Sequence, residues 1–252
     1  MEDTGSGIEF TGVEKRFGSH VALAGLSLRV APGRVYGLLG PNGAGKSTTI
    51  QLAAGLLTCD AGDVRVGGHT LPGGVREARA TTAYVSESVS LYPQLSGAEN
   101  LRLFSGLAGR SLTPAQAREC LERAGLAGEL HRRRVRTYSK GMRQKVGLAI
   151  ALAKEARVLL LDEPSSGLDP SASHDLAERV RAAAADGVAI LMATHDLFRA
   201  RATCDEVGLL AAGRLRHHWA GDEVGATDLE SVYLETVRSL EAGANAGAAT
   251  QA

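Results

Sequence analysis

The sequence has no excess of charge of either sign: 28 Lys and Arg stand against 28 Asp and Glu over 252 residues. That balance excludes a chain that is basic all over, as a coat for nucleic acid would be, and leaves only local patches to consider. Aromatic residues are scarce at 4%, with one Trp and four Phe, so a ring that must stack on a ligand has few competitors. The three cysteines, Cys59, Cys120 and Cys204, lie far apart and form no C-x-x-C pair; the expectation is free thiols in a reducing compartment. No apolar run approaches the ~18 residues needed to cross a bilayer. The acidic start "MEDTGSGIEF" has no signal-peptide core, so the chain is expected to be soluble by itself and cytoplasmic.

What is present is a core-forming share of apolar residues, 44%, arranged in short β-branched runs that alternate with helical segments. "RVYGLLG" (34–40), "RVLLLDE" (157–163) and "VAILMAT" (188–194) read as buried strands. "GKSTTIQLAAGLL" reads as a helix. So does "PSASHDLAERVRAAAADG", with Asp169 as N-cap, Pro170 at the first position and Gly187 at the stop. Strand, helix, strand in this order implies right-handed crossovers and a parallel sheet. "IEFTGVEKRF" and "VALAGLSLRV" near the start suggest antiparallel strands beside it. Residues 96–155 lack strand signals, and "TPAQARECLERAGL" opens with the capping box of Thr113 and Gln116. A helical insertion, about 88–155, therefore divides the α/β core. The small-residue end, 241–252, is expected to be a disordered tail.

"VLLLDEPSSGLDP" (158–170) raises a question: Asp162 and Glu163 follow an apolar strand with no polar buffer. A bare carboxylate at the edge of a core is costly unless a cation, a metal or a proton compensates it. "GPNGAGKST" (40–48) supplies a reason. It holds the pattern GxxxxGK[ST] as Gly40, Gly45, Lys46 and Ser47. Glycines let backbone N–H groups turn inward round a phosphate, Lys46 reaches the β and γ phosphates, and the Ser47 hydroxyl suits Mg²⁺. Asn42, Gly43, Ala44 and Thr48 complete the loop, and the next helix adds its positive end. A strand beside such a loop commonly ends in an acid that holds Mg²⁺, which nominates Asp162. Glu163 is then free to act as general base on water.

Taken with these motifs, "YSKGMRQK" (138–145) and "SSGLDP" resemble the signature and the following loop of the ATP-binding cassette (ABC) ATPases. The resemblance covers about residues 8–240. It implies an ABC ATPase fold of the P-loop NTPase type, with a parallel-sheet core, an antiparallel β subdomain and an inserted helical subdomain, in one domain over 1–240. It implies ATP and Mg²⁺ as cofactors. ATP would sit between the phosphate loop of one copy and Ser139 and Gly141 of another, with Asp169 linking the two sites. His195, in "MATHD", matches the switch histidine that contacts the γ-phosphate and orients Glu163. Phe17, in "KRFGSHVAL", matches the ring that stacks on adenine.

The sequence departs from the family pattern twice. Lys140 and Met142 stand where Gly and Gln are usual in the signature. Glu87 stands where a Gln usually touches Mg²⁺ and the attacking water. Glu87 can bind the metal but, ionised, cannot donate an N–H, and a third acid near Asp162 and Glu163 should raise at least one pKa. The resemblance further implies a motor of two such domains, homodimeric or heterodimeric, docked to a separate membrane-spanning permease on the cytoplasmic side of the cell membrane. "ENLRLFSGL" and "DLESVYLETV" resemble segments of bacterial exporter ATPases. Alternatives are an importer ATPase, a soluble ABC ATPase and a nucleotide-dependent module without hydrolysis. Against the soluble reading, only 92 residues separate Lys46 from Ser139, with no heptads between. The basic run "HRRRVR" (131–136) is expected to be a solvated face beside the membrane partner, not a nucleic-acid site.

Overall fold

The computed structural model describes residues 7–249. In chain order it runs β1 (Ile8–Phe17), β2 (His20–Val30), β3 (Val35–Leu39), α1 (Lys46–Ala53), β4 (Ala61–Val66), β5 (His69–Leu71), α2 (Val75–Thr81) and β6 (Thr82–Val85). Then come α3 (Gly97–Leu107), α4 (Pro114–Arg123), α5 (Lys140–Ala153), β7 (Val158–Asp162), α6 (Pro170–Ala185), β8 (Ala189–Thr194) and α7 (Leu197–Thr203). The chain ends with β9 (Glu206–Ala211), β10 (Arg214–Ala220), α8 (Asp222–Ala226) and α9 (Leu229–Ala249).

Every residue of β3, β7 and β8 is buried, as expected of parallel strands covered on both faces. The central sheet has the order β10-β9-β3-β8-β7-β6; all pairings are parallel except the hairpin of β9 and β10. A second, antiparallel sheet has the order β2-β1-β4-β5. Strand β7 shows how the layers meet. Val158 and Leu160 join a core with α1 and the antiparallel sheet, including Phe10, Leu26 and Ile50. Leu159 and Leu161 point the other way, into a core with Val146 of α5 and Val180 of α6. That second core continues into the helices between β6 and β7 through Leu101 and Leu121. Truncating a fully buried leucine such as Leu160 costs about 2–5 kcal/mol.

The parallel strands end on one edge. There β3 gives way to Gly40, β7 to Glu163 and β8 to His195, the side on which open α/β sheets bind ligands. The final helix corrects one expectation. α9 continues to Ala249, so 241–249 are helical and not a disordered tail; residues 250–252 lie outside those described. Alanine, abundant here, has the highest intrinsic helix propensity, and the small-residue composition misled.

Candidate active site

Helix α1 begins directly after the glycine-rich loop. Gly45 is its N-cap, with φ of 109°. A β-carbon there would lie 2.5 Å from the Ala22 carbonyl oxygen, and one at Gly40 would lie 2.2 Å from that of Leu210. The loop is thus pressed between β2 and β9, and only glycine fits. The first N–H groups of α1 have no partner within the helix. They face a cleft of about 380 Å³ lined by residues 41–48 with Phe17, His20, Ala22, Glu87 and Glu163. Lys46 is 6% exposed. Its ammonium donates to the carbonyls of Gly40 (2.6 Å) and Pro41 (3.2 Å) and stands 3.4 Å from Glu163 Oε1.

The two acids at the end of β7 are compensated separately. Asp162 is buried, and Ser47 Oγ donates to its Oδ1 at 3.2 Å. Burial pushes its carboxyl above the usual range. The Ser47 bond opposes this, and the Glu163 charge pushes it up again. Glu87 also pushes it upward, as a third nearby acid should, but most weakly of the charges that act on it. Glu163 has a left-handed backbone, φ 48°, a conformation that costs a non-glycine residue about 1 kcal/mol or more. Its N–H donates to the Ala193 carbonyl at 2.9 Å and its carbonyl accepts from Ser166 N–H at 3.1 Å. The twist turns the side chain out of the core toward Lys46 on one side and His195 on the other, whose Nδ1 lies 2.8 Å from Oε2. So Glu163 is met by a lysine and a histidine, and Asp162 by a hydroxyl.

That donor set fits a small hard cation brought with phosphates. Asp162 Oδ1 and Ser47 Oγ offer two oxygens side by side, hard ligands that would hold Mg²⁺ together with phosphate and water. Among the described residues no group of three or more His, Cys, Asp or Glu could cage a metal by itself.

The other expected residues are placed differently. Glu87 lines the cleft, but its Oε1 accepts from Ser166 Oγ at 2.9 Å and lies 3.4 Å from Lys140 Nζ. These two partners, Ser166 first, hold its carboxyl below the usual range. Gln144 of α5 fixes the loop by donating to the Glu87 carbonyl at 3.0 Å. Lys140 therefore meets Glu87 of its own chain. Ser139 caps α5 by accepting from Met142 N–H, and Asp169 caps α6 by accepting from Ala172 N–H. Gly141 gains a local use: a β-carbon there would sit 3.3 Å from the Ala172 side chain and 3.6 Å from Leu168, where α5 and α6 begin side by side. Ser139, Gly141 and Asp169 are not among the residues lining the cleft. Phe17 is, at 46% exposure, and Lys15 Nζ lies 5.6 Å from its ring centroid. Sequence reading missed His20, which enters the cleft only through the hairpin pairing of Phe17 with His20, and Ser166, whose partner is 79 residues away.

Comparison with known proteins identifies the family and the fold. The ABC transporter family matches residues 23–166. The Daunorubicin resistance ATP-binding protein DrrA3 of Streptomyces coeruleorubidus is 41% identical over 231 residues, 90% of this chain and 71% of that protein. The Nod factor export ATP-binding protein I of Burkholderia lata is 41% identical over 209 residues, 82% of this chain and 68% of that one. A solved ATP-binding subunit of an ABC transporter superposes with a TM-score of 0.80 at 31% identity, covering 92% of this chain and 100% of the other. The fold, the phosphate loop with its paired acids and these relatives lead to one conclusion: the chain belongs to the ABC transporter family and is an ABC ATPase.

Proposed function

We propose that this chain powers an ABC exporter as its ATP-hydrolysing subunit, peripheral on the cytoplasmic side of the cell membrane and docked to a separate membrane-spanning permease. The observation that carries the catalytic part is Glu163, held between Lys46 and His195 beside the Ser47–Asp162 pair. Bound MgATP supplies the phosphoryl group to be transferred and a cation to neutralise it. Lys46 and the N–H groups of residues 43–48 would hold the phosphates, Ser47 and Asp162 the Mg²⁺, and Phe17 the adenine face. Glu163 accepts the proton of the attacking water. His195 positions Glu163 through Nδ1–H; its Nε2 carries a second proton only in the imidazolium, the form that can donate to the γ-phosphate at the same time. Ser139, Gly141 and Asp169, which do not line this chain's own cleft, would complete the site of a second copy. Both half-sites occur in one chain, which permits a homodimer and equally a paralogous partner. Export is supported by relatives named for drug resistance and Nod factor export. Among the described residues no helix is long and apolar enough to cross a membrane, and this reading assigns the transport path to the permease.

The test is a tagged pull-down from solubilised native membranes, with partners identified by mass. A stoichiometric polytopic membrane protein is the expected result. Recovery of the chain with ribosomes or DNA, or alone, would overturn the transporter reading while leaving the ATPase intact.

A further inference from the structure

The neutrality of the whole chain conceals a division. Residues 88–155 hold twelve Lys and Arg against five Asp and Glu, a formal +7, so the remainder carries −7. Within this segment Arg110, Arg123, Lys140 and Lys145 are ion-paired. Arg102, Arg132, Arg133, Arg134 and Arg136 are exposed, and among the described residues none of these five has a carboxylate within 4.0 Å.

These arginines are gathered on one corner of the helical layer. The N–H groups of Val135 and Arg136 donate to the carbonyls of Leu95 (2.9 Å) and Pro93 (3.0 Å), and Arg134 pairs with Ser96 in an isolated bridge. The basic segment is thereby strapped along the entry to α3. Glu99 of α3 is held low by its bonds to Ser96 and then by the charges of Arg134 and Arg102, so those two guanidinium groups share the corner. Apolar side chains are exposed on the same helix and its entry: Tyr92, whose N–H donates to Asn100 of α3 at 2.8 Å, is 55% exposed, and Leu103 and Leu107 of α3 are 36% and 75% exposed.

We propose that this arginine corner contacts the anionic lipid headgroups of the cytoplasmic leaflet, an inference that rests on the transporter reading above. Guanidinium groups pair with phosphate in a fork and hold it better than point charges do. Exposed aromatic and aliphatic side chains together with cations are the composition of a surface that settles at a headgroup boundary. Charge decides between the two neighbours such a subunit has. The cytoplasmic loops of membrane proteins are themselves enriched in Lys and Arg, so a permease offers this corner repulsion. The leaflet carries negative surface potential and attracts it. The −7 remainder of the chain would be repelled by the same leaflet, which orients the subunit with its helical layer toward the membrane.

The test is co-sedimentation of the purified chain with vesicles, either phosphatidylcholine alone or with about a third phosphatidylglycerol, at low salt and at about 0.5 M NaCl, where the Debye length falls to a few ångströms. The expected result is partition into the anionic vesicles at low salt only. It should fall at least about tenfold in the Arg132→Ser/Arg133→Ser/Arg134→Ser/Arg136→Ser variant, since each basic residue near an anionic surface contributes severalfold. The corresponding four Lys substitutions should retain most of the partition. Unchanged ATPase activity of the Ser variant shows that it is folded. Equal binding by wild type and Ser variant, absence of binding at low salt, or tighter capture of duplex DNA than of vesicles overturns the proposal. So does loss of permease copurification with vesicle binding unchanged, which assigns the corner to the protein partner. Vesicle binding without any permease in the pull-down would support the lipid contact and refute the transporter reading.

Discussion

Replacing Glu163 by Gln separates binding from turnover. Lys46 Nζ stands 3.4 Å from Glu163 Oε1, with the two side chains 6% and 14% exposed. Between bare charges at 3.4 Å and an effective dielectric constant near 20, the attraction is about 5 kcal/mol. Desolvation and the two carbonyl bonds of Lys46 return most of it, leaving a net pair energy of about 1 kcal/mol. Any phosphate that reaches Lys46 competes with this carboxylate. The Gln variant removes the competitor and keeps the side-chain shape, so ATP affinity should rise about fivefold. Turnover should fall about 10²–10⁴-fold, because an amide cannot take the proton of the attacking water. Phosphate release under single and multiple turnover measures the second effect, and equilibrium binding of a fluorescent ATP analogue measures the first. A variant that turns over within about threefold of wild type refutes Glu163 as the base. A variant that binds ATP more weakly refutes the competition between carboxylate and phosphate for Lys46.

Lys46→Ala should abolish detectable nucleotide binding at concentrations that saturate the wild type, read by the same binding assay, since it removes the buried cation of the loop. Asp162→Asn should raise the thermal midpoint in the absence of metal near pH 7. Burial raises the folded carboxyl above its unfolded value, so ionisation destabilises the fold as pH climbs past the usual carboxylate range, and an amide escapes that cost. The gain should shrink as pH falls to about 4, where the unfolded carboxyl protonates; a gain independent of pH would refute the desolvation argument. Glu87→Gln should keep ATPase activity within about threefold and shift stability by no more than about 1 kcal/mol, because the Lys140 pair is solvent-exposed and an amide oxygen still accepts from Ser166. Loss of activity would show that the acid itself takes part.

Much of the fold was legible because the informative signals are local. The apolar runs of β3, β7 and β8 and the caps Asp169 and Thr113 each lie within a few residues of the feature they specify. The phosphate loop and its two acids were legible for the same reason. What escaped depends on pairing across the chain. β4 and β5 complete the antiparallel sheet, and β9 and β10 close the central one, yet their alternation is weak: β10 is "RLRHHWA", exposed or half-exposed along its length. Glu87 was visible as a departure, but its engagement with Lys140 and Ser166 unites residues 53 and 79 positions away. The left-handed twist at Glu163 has no signal in a motif that reads as plain strand end.

Strand β7 faces a different core on each side, and this ranks the parts of the molecule by how readily they open. The helices between β6 and β7 can loosen while Leu160 stays packed on the antiparallel side, and the antiparallel sheet can loosen while Leu159 and Leu161 stay covered by α5 and α6. The centre itself opens only when both layers are lost. Amide hydrogens of β3, β7 and β8 should therefore exchange last, through global unfolding alone, with each flanking layer exchanging through its own smaller opening. The acids that end β7 are anchored to the slowest part of the molecule, while the arginine corner and the signature helix ride on a part free to breathe.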